Sequence, residues 1–322
     1  MTRMMRVLIT GVHGFVGSNL VKALSKDFEI YGLDIVSPER EGVVKTFSWD
    51  DLGHGVLPEV DAIIHLAGKA HDTKNQSQAE VYFQVNTELT KRIYDYFLAS
   101  SARRFVFFSS VKAAADRVEG PYVDENVEPK PVGPYGESKI EAERYIQDIL
   151  KMEDGKLKDK ETYILRPCMI HGPGNKGNLN LLYGVVKKGI PWPLGAFENK
   201  RTFTSIDNVC YIVHGLLTKE VESGIYHISD DEAVSTNELI EIICSAMGKK
   251  AHIWNVPRGL MEGIAKIGGI LHLPLNPERL RKLTENYVSS NAKIKRALGI
   301  EQLPVRAKDG LYKTIKAFEN KK

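Results

Sequence analysis

The first half of the chain alternates short, nearly unbroken apolar runs with longer stretches of helical spacing. The runs are RVLIT, EIYGLDIV, VVKTFSW, DAIIHLAG, RFVFFSS and TYILRPCMI. A strand exposed on one face alternates apolar and polar positions. A near-continuous run predicts a strand covered on both faces, as in a parallel sheet. Between the runs, the spacing predicts helices from near Ser18, over about 79–100 and from Tyr135. This strand–helix alternation predicts a doubly wound parallel α/β sheet, the Rossmann architecture. The pattern changes after His171. GPGNKGN and GIPWPLGAFENK read as loops. Shorter elements follow: the strand TFTSI, a helix from about Asp207, the strand IYHIS, a helix from Thr236 and basic helices near the end. We therefore expect a larger α/β domain over 1–171 and a smaller one over 172–322, with some elements shared. KMEDGKLKDKE reads as a charged surface loop.

The turn after the first run reads TGVHGFVG, with Gly11, Gly14 and Gly17 three apart. Glycines there let the backbone approach a pyrophosphate and let the next helix pack closely, its N-terminus facing the anion. A glycine pattern alone is weak. This one follows a strand, opens a helix and precedes a second strand ending in Asp34. An acid there suits the ribose hydroxyls of adenosine and disfavours a 2′-phosphate, so NAD is the expected cofactor. Arg40, a few residues on, leaves NADP open. The plain alternative is a structural turn and a strand-end acid.

GPYGESK places Tyr135 and Lys139 on one face of a helix at its first turn. A free tyrosine titrates at about 10 and a free lysine at about 10.4. A nearby ammonium favours the phenolate and lowers the phenol's pKa toward the range of proton exchange. Ser109 and Ser110 end RFVFFSS at the carboxyl edge, where ligands bind in such sheets. An ordinary helix start beside two strand-end serines is the competing reading. The glycine loop and the shared sheet edge favour a Ser–Tyr–Lys site.

Composition adds exclusions. The formal net charge of +3 is too small to argue for nucleic acid or a membrane as partner. Three widely spaced cysteines, Cys168, Cys210 and Cys244, fit neither a disulfide framework nor a zinc site and suggest a reducing compartment. The first apolar run is too short for a signal peptide. The most apolar late segment, LMEGIAKIGGILHLPL, is interrupted by Glu262 and Lys266. A cytoplasmic protein is expected. His13 reads as solvent-facing, and His65, His171 and His227 as packed at strand ends. No histidine pair has metal spacing, so no metal site is expected.

TGVHGFVG, Asp34, HLAGKA, VYFQVN, FFSS, YGESK and LRPCMIHGPG span nearly the whole chain in one order. In this the sequence resembles the extended short-chain dehydrogenases/reductases of the NAD-dependent nucleotide-sugar epimerase/dehydratase group. The resemblance implies a catalytic set of Ser110, Tyr135 and Lys139. In it Tyr135 is the acid/base, Ser110 bonds the sugar oxygen, and Lys139 tunes Tyr135. The resemblance also implies NAD contacts from Gly11, Gly14, Phe15, Val16, Gly17, Asp34, Leu66, Ala67, Asn86 and Ser109, besides Tyr135 and Lys139. An acid after the third strand, Asp50 or Asp51, joins them. On the substrate side it implies Asn178, Arg201 and Arg279, with Arg281 nearly as good as Arg279. A guanidinium suits a diphosphate.

Departures from the group narrow the chemistry. Its dehydratases carry an Asp-Glu pair after the catalytic hydroxyl residue, whereas Val111 and Lys112 follow Ser110 here. Its C3/C5 epimerases use a cysteine near that serine, and none is close in the sequence. Met169 stands where many relatives have an asparagine that contacts substrate. What remains is hydride transfer at sugar C4. The loop motifs resemble UDP-N-acetylhexosamine 4-epimerases and the 4-reductases that form UDP-N-acetylquinovosamine-type sugars for surface polysaccharide. Another alcohol oxidoreductase of the same scaffold, or a non-catalytic NAD-sensing member, is the alternative. The helices over 79–100 and 135–150 are expected to pair two copies into a homodimer.

Overall fold

The computed structural model describes residues 3–70, 78–152, 157, 159–273 and 275–320. The first part of the chain runs β1 (Met5–Thr10), α1 (Phe15–Leu24), β2 (Phe28–Leu33), β3 (Lys45–Phe47), β4 (Ala62–His65), α2 (Ala79–Tyr82), a π-helical stretch (Phe83–Glu88), α3 (Leu89–Ala99), β5 (Arg104–Phe108), α4 (Val111–Ala114), α5 (Pro134–Met152) and β6 (Glu161–Pro167). There follow β7 (Met169–His171), α6 (Asn178–Lys187), β8 (Phe203–Ser205), α7 (Ile206–Thr218), β9 (Gly224–Ile228) and α8 (Thr236–Ala246). The chain closes with α9 (Arg258–Ile270), α10 (Pro277–Thr284), α11 (Ala292–Leu298) and α12 (Ala307–Glu319).

Seven strands form one sheet in the order β3-β2-β1-β4-β5-β6-β9, and every neighbouring pair is parallel. The apolar runs are continuous because successive residues enter different cores. In β1, Val7 and Ile9 pack on one side of the sheet with α1 and α7, while Leu8 packs on the other with α3 and α5. In β5, Val106 and Phe108 take the first side, Phe105 and Phe107 the second. Each such side chain contributes about 1.5–3 kcal/mol by leaving water. Strand order reverses between β1 and β4, so a ligand crevice opens at their carboxyl ends.

Four details refine the sequence expectation. TYILRPCMI is two strands in two sheets: β6 ends at Pro167, which has no N–H for the ladder, and β7 pairs with β8. IYHIS, which follows residue 172, is the seventh strand of the large sheet, beside β6. The expected helix over 79–100 is interrupted by its π-helical stretch, a feature common near functional sites. Helix α1 begins at Phe15, three residues before Ser18. Of the charged segment KMEDGKLKDKE, residues 153–156 and 158 lie outside the described residues.

Candidate active site

The glycine loop is built by backbone contacts that a side chain would break. Gly11 is in the left-handed region at φ 67, and a Cβ there would lie 3.0 Å from the Ala67 nitrogen. A Cβ on Gly17 would lie 2.5 Å from the Gly11 oxygen and 2.7 Å from the Val12 oxygen. Helix α1 can therefore start directly over the β1 end, with its N-terminus and a bare backbone facing the crevice. This cradle fits a pyrophosphate. Asp34 closes its far side, accepting from the His13 nitrogen at 3.0 Å and the Ile35 nitrogen at 2.8 Å. His13, expected to face solvent, is only partly exposed. Its ring meets the Thr46 hydroxyl at 3.0 Å, and Arg40 Nε donates to its Nδ1 at 3.3 Å. Burial lowers its pKa, with Asp34 opposing and Arg40 adding. The Phe15 ring lies against the loop of Gly172 and Gly174, and Val16 packs on the core beneath.

Leu66 and Ala67 leave β4 with both nitrogens donating to Thr10 Oγ1, at 3.1 and 3.0 Å, which lays their backbone beside Gly11. Of the two acids after β3, Asp51 is committed to the Ser48 backbone and hydroxyl, whereas Asp50 is exposed. Asn86, in the π-helical stretch, is fully buried and acts as a clamp. It accepts from the Lys69 nitrogen at 2.8 Å and donates to the Lys69 carbonyl at 3.1 Å and the Ser138 hydroxyl at 3.0 Å. Gly68 makes room: a Cβ there would lie 3.0 Å from Asn86 Oδ1 and 3.1 Å from Lys139 Nζ.

Ser110 and Tyr135 meet at the carboxyl edge of β5 and share a side-chain hydrogen bond. The Tyr82 ring stands edge-on to the Tyr135 ring, with centroids 6.4 Å apart. Burial raises the Tyr135 phenol above its ordinary pKa, the Ser110 bond opposes, and Tyr82 adds to the rise. Burial thus outweighs the lowering expected from the neighbouring cation. Lys139 Nζ donates to the Phe108 carbonyl at 2.9 Å, 5.0 Å from the Phe107 ring centroid. Burial brings Lys139 down to about 8, with Glu143 opposing.

Beneath the edge lies a buried ion pair that the sequence reading missed. Ser109 faces away from Ser110, as strand alternation requires, and donates to Glu143. Arg166, 1% exposed, forks onto Glu143 through Nε at 3.1 and 3.2 Å and Nη2 at 2.6 Å. The signal was there: an arginine inside the apolar run of β6, and a glutamate one turn past Lys139 on α5.

On the substrate side, Lys112 turns from Ser110 to Asp116, 3.2 Å away, and lies over the Tyr287 ring. Arg281 reaches the same Asp116 at 3.7 Å and Glu285 at 2.8 Å. Arg201 donates to the Lys282 carbonyl, and burial lowers its pKa with Glu285 opposing. Arg279 is exposed on α10, so Arg281 is the arginine joined to the Ser110 side. Asn178 opens α6 in an exposed position, whereas Asn175 Nδ2 and Asn180 Oδ1 are buried with no hydrogen-bond partner among the described residues. Both sit in or beside GPGNKGN, the one sequence signal for them. Met169 is partly buried against the C-terminal core. Cys168 is distant from Ser110 in sequence but packs against Val111. Its thiol faces the Thr202 hydroxyl at 3.1 Å and is pushed by burial up to about 11, so it is no base at neutral pH. Among the described residues, no group of His, Cys, Asp or Glu is arranged to hold a metal.

The profile of the NAD dependent epimerase/dehydratase family matches residues 7–229. A UDP-glucose 4-epimerase of Vibrio cholerae is 32% identical over 266 residues, 78% of either chain. The chain belongs to the NAD-dependent epimerase/dehydratase family. It is an enzyme, and NAD is its cofactor. A second relative in the family, at 25% identity over 90% of this chain and 84% of its own, is the N-acetyl-α-D-glucosaminyl-diphospho-ditrans,octacis-undecaprenol 4-epimerase of Escherichia coli O157:H7. Among solved structures, a UDP-glucose 4-epimerase of Thermotoga maritima superposes with a TM-score of 0.75 at 18% identity, covering 98% of this chain and 99% of its own. The UDP-glucuronic acid 4-epimerase of Bacillus cereus, solved with NAD, gives 0.74 at 19%, covering 99% and 100%. Both show the same fold.

Proposed function

We propose that this enzyme is a C4-epimerase of a diphosphate-linked N-acetylhexosamine. The carrying observation is the hydrogen-bonded Ser110–Tyr135 pair at the sheet edge, with Val111 and Lys112 in place of a carboxylate pair. Elimination lacks its acid and base there, while proton exchange on one oxygen has both groups it needs. The glycine loop and Asp34 would hold NAD, which when bound would accept and return the C4 hydride. Tyr135 Oη takes the proton of the C4 hydroxyl and returns it. Ser110 Oγ hydrogen-bonds the same oxygen and fixes its position. Lys139, one turn from Tyr135 on α5, is brought by burial to about 8 and titrates close to neutrality, where it can tune the phenol once the cofactor is bound. Lys112, Arg201 and Arg281 bring cationic charge to the diphosphate side. The relatives named as 4-epimerases support this reading over a 4-reductase. One of them carries its hexosamine on a polyprenyl diphosphate, so the diphosphate, common to UDP and lipid carriers, defines the substrate class. Pairing of two copies through α3 and α5 belongs to the same proposal, and sedimentation tests it.

The test is anomeric-proton NMR of UDP-N-acetylglucosamine and its polyprenyl-diphosphate counterpart with purified enzyme. Interconversion of the gluco and galacto forms without net NADH consumption is expected. Consumption of NADH by a 4-keto sugar, with no interconversion, would make the enzyme a reductase. No turnover of either, and no thermal shift with UDP, would sink the reading.

A further inference from the structure

Helix α9 is apolar on two faces. One, through Met261, Ala265 and Gly268, packs into the C-terminal core. The other carries Leu260, Ile264, Ile267 and Leu271, between 44% and 61% exposed. Their spacing of four, three and four residues stacks them in one stripe. Ile270 and Leu273 extend it at 76% and 49% exposure. Trp254, 57% exposed, lies just before the helix. Among the described residues, six of the twenty exposed large hydrophobics lie between 260 and 273. By contrast, α3 and α5 contribute only Met152, at the end of α5. On the buried face, a Cβ on Gly268 would overlap the Leu275 oxygen, so the returning chain packs closely on the helix.

Charge says what covers it. Residues 249–285 hold seven Lys and Arg against three Glu, an excess of four, with Arg281 paired to Glu285 and Asp116 and Lys282 to Glu278, whereas the whole chain carries +3. Lys250 and Lys266 are in no salt bridge among the described residues. An apolar stripe set in basic charge matches an anionic bilayer surface. The helix is linked to the candidate site through its neighbour. Helix α10 packs on α9, and its Arg281 reaches Asp116, which holds Lys112 beside Ser110. No helix among the described residues is long and apolar enough to cross a membrane, so this is surface contact.

We propose that the α9 stripe docks the enzyme on an anionic phospholipid surface and brings the substrate side of its site to the headgroups. This revises the expectation of no membrane partner. Its purpose, reaching a lipid-carried hexosamine, rests on the proposed function; its test does not. The full-length enzyme is floated with phosphatidylcholine vesicles, with and without about 30 mol% phosphatidylglycerol, at low and at about 0.5 M salt. Binding to the anionic vesicles that weakens with salt is expected. The double variant Ile264→Glu/Ile267→Glu should lose at least about ten-fold in bound fraction with its thermal midpoint unchanged. Absent binding, equal binding to phosphatidylcholine alone, or full binding by the variant overturns the proposal. So does a wild-type oligomer that binds no vesicles and that the variant splits, which assigns the stripe to a second copy. Vesicle binding needs no turnover, so failure of either proposal leaves the other standing.

Discussion

Replacing Lys139 with methionine should make the protein more stable and less active, in a way that pH reveals. The amine is 5% exposed, and burial brings it from 10.5 to about 8. At about 1.36 kcal/mol per pH unit, keeping it charged in the folded protein costs about 3 kcal/mol. The cost is complete below pH 8, where folded and unfolded lysines are both protonated. It fades between about 8 and 10.5, where the unfolded chain binds more protons, and is gone above that. Methionine fills a similar volume with no charge. It leaves the Phe108 carbonyl without its donor, which costs about 1–2 kcal/mol. The variant should therefore be about 1–2 kcal/mol more stable than wild type at pH 7 and less stable above pH 10.5, with the curves crossing between. Urea unfolding of nucleotide-stripped protein over this range measures the difference directly. A variant less stable at pH 7, or a difference that stays flat with pH, would refute the burial argument.

Three further outcomes are expected. Gly17→Ala should destabilise by about 1–3 kcal/mol and weaken NAD binding in titration calorimetry, because its Cβ meets only backbone, at 2.5 and 2.7 Å; unchanged affinity would count against the cradle. Glu143→Gln should cost about 3–5 kcal/mol in denaturant unfolding by stranding Arg166, and Glu143→Gln/Arg166→Met should recover most of that loss. A double variant as unstable as the single would contradict this. Tyr135→Phe should keep its unfolding free energy within about 1 kcal/mol of wild type and lose at least about 100-fold in turnover; retained turnover would remove Tyr135 from the chemistry.

The parallel sheet was legible because its strands are covered twice, and residues such as Val7, Leu8 and Ile9 must then all be apolar. The glycine loop was legible because steric exclusion leaves a residue type as its trace: only glycine tolerates the approach at position 17. Strand β9 was seen as a strand but not as part of the large sheet, since which edge a strand joins is decided by distant partners. Spacing correctly put Tyr135 and Lys139 on one helix face. It could not show that a carbonyl at the end of β5 would capture the amine and leave the phenol raised by burial. The same limit hid Cys168 beside Val111, 57 positions apart in the chain but neighbours across the sheet edge.

The position of β9 has a consequence for how the protein is made. Strand β6 ends at Pro167 and its outer partner begins at Gly224, so 56 residues must leave the ribosome in between. At about 5–20 residues per second this takes roughly 3–11 s. During that time the nascent sheet has an open, apolar edge along β6, the surface on which chains add to one another. The same interval delivers β7, α6, β8 and α7, whereas α8 to α12, with Arg281, emerge only after the last strand. Cotranslational folding should therefore have a late committed step at the closure of β9, and a chain stopped after β6 would be a substrate for chaperones.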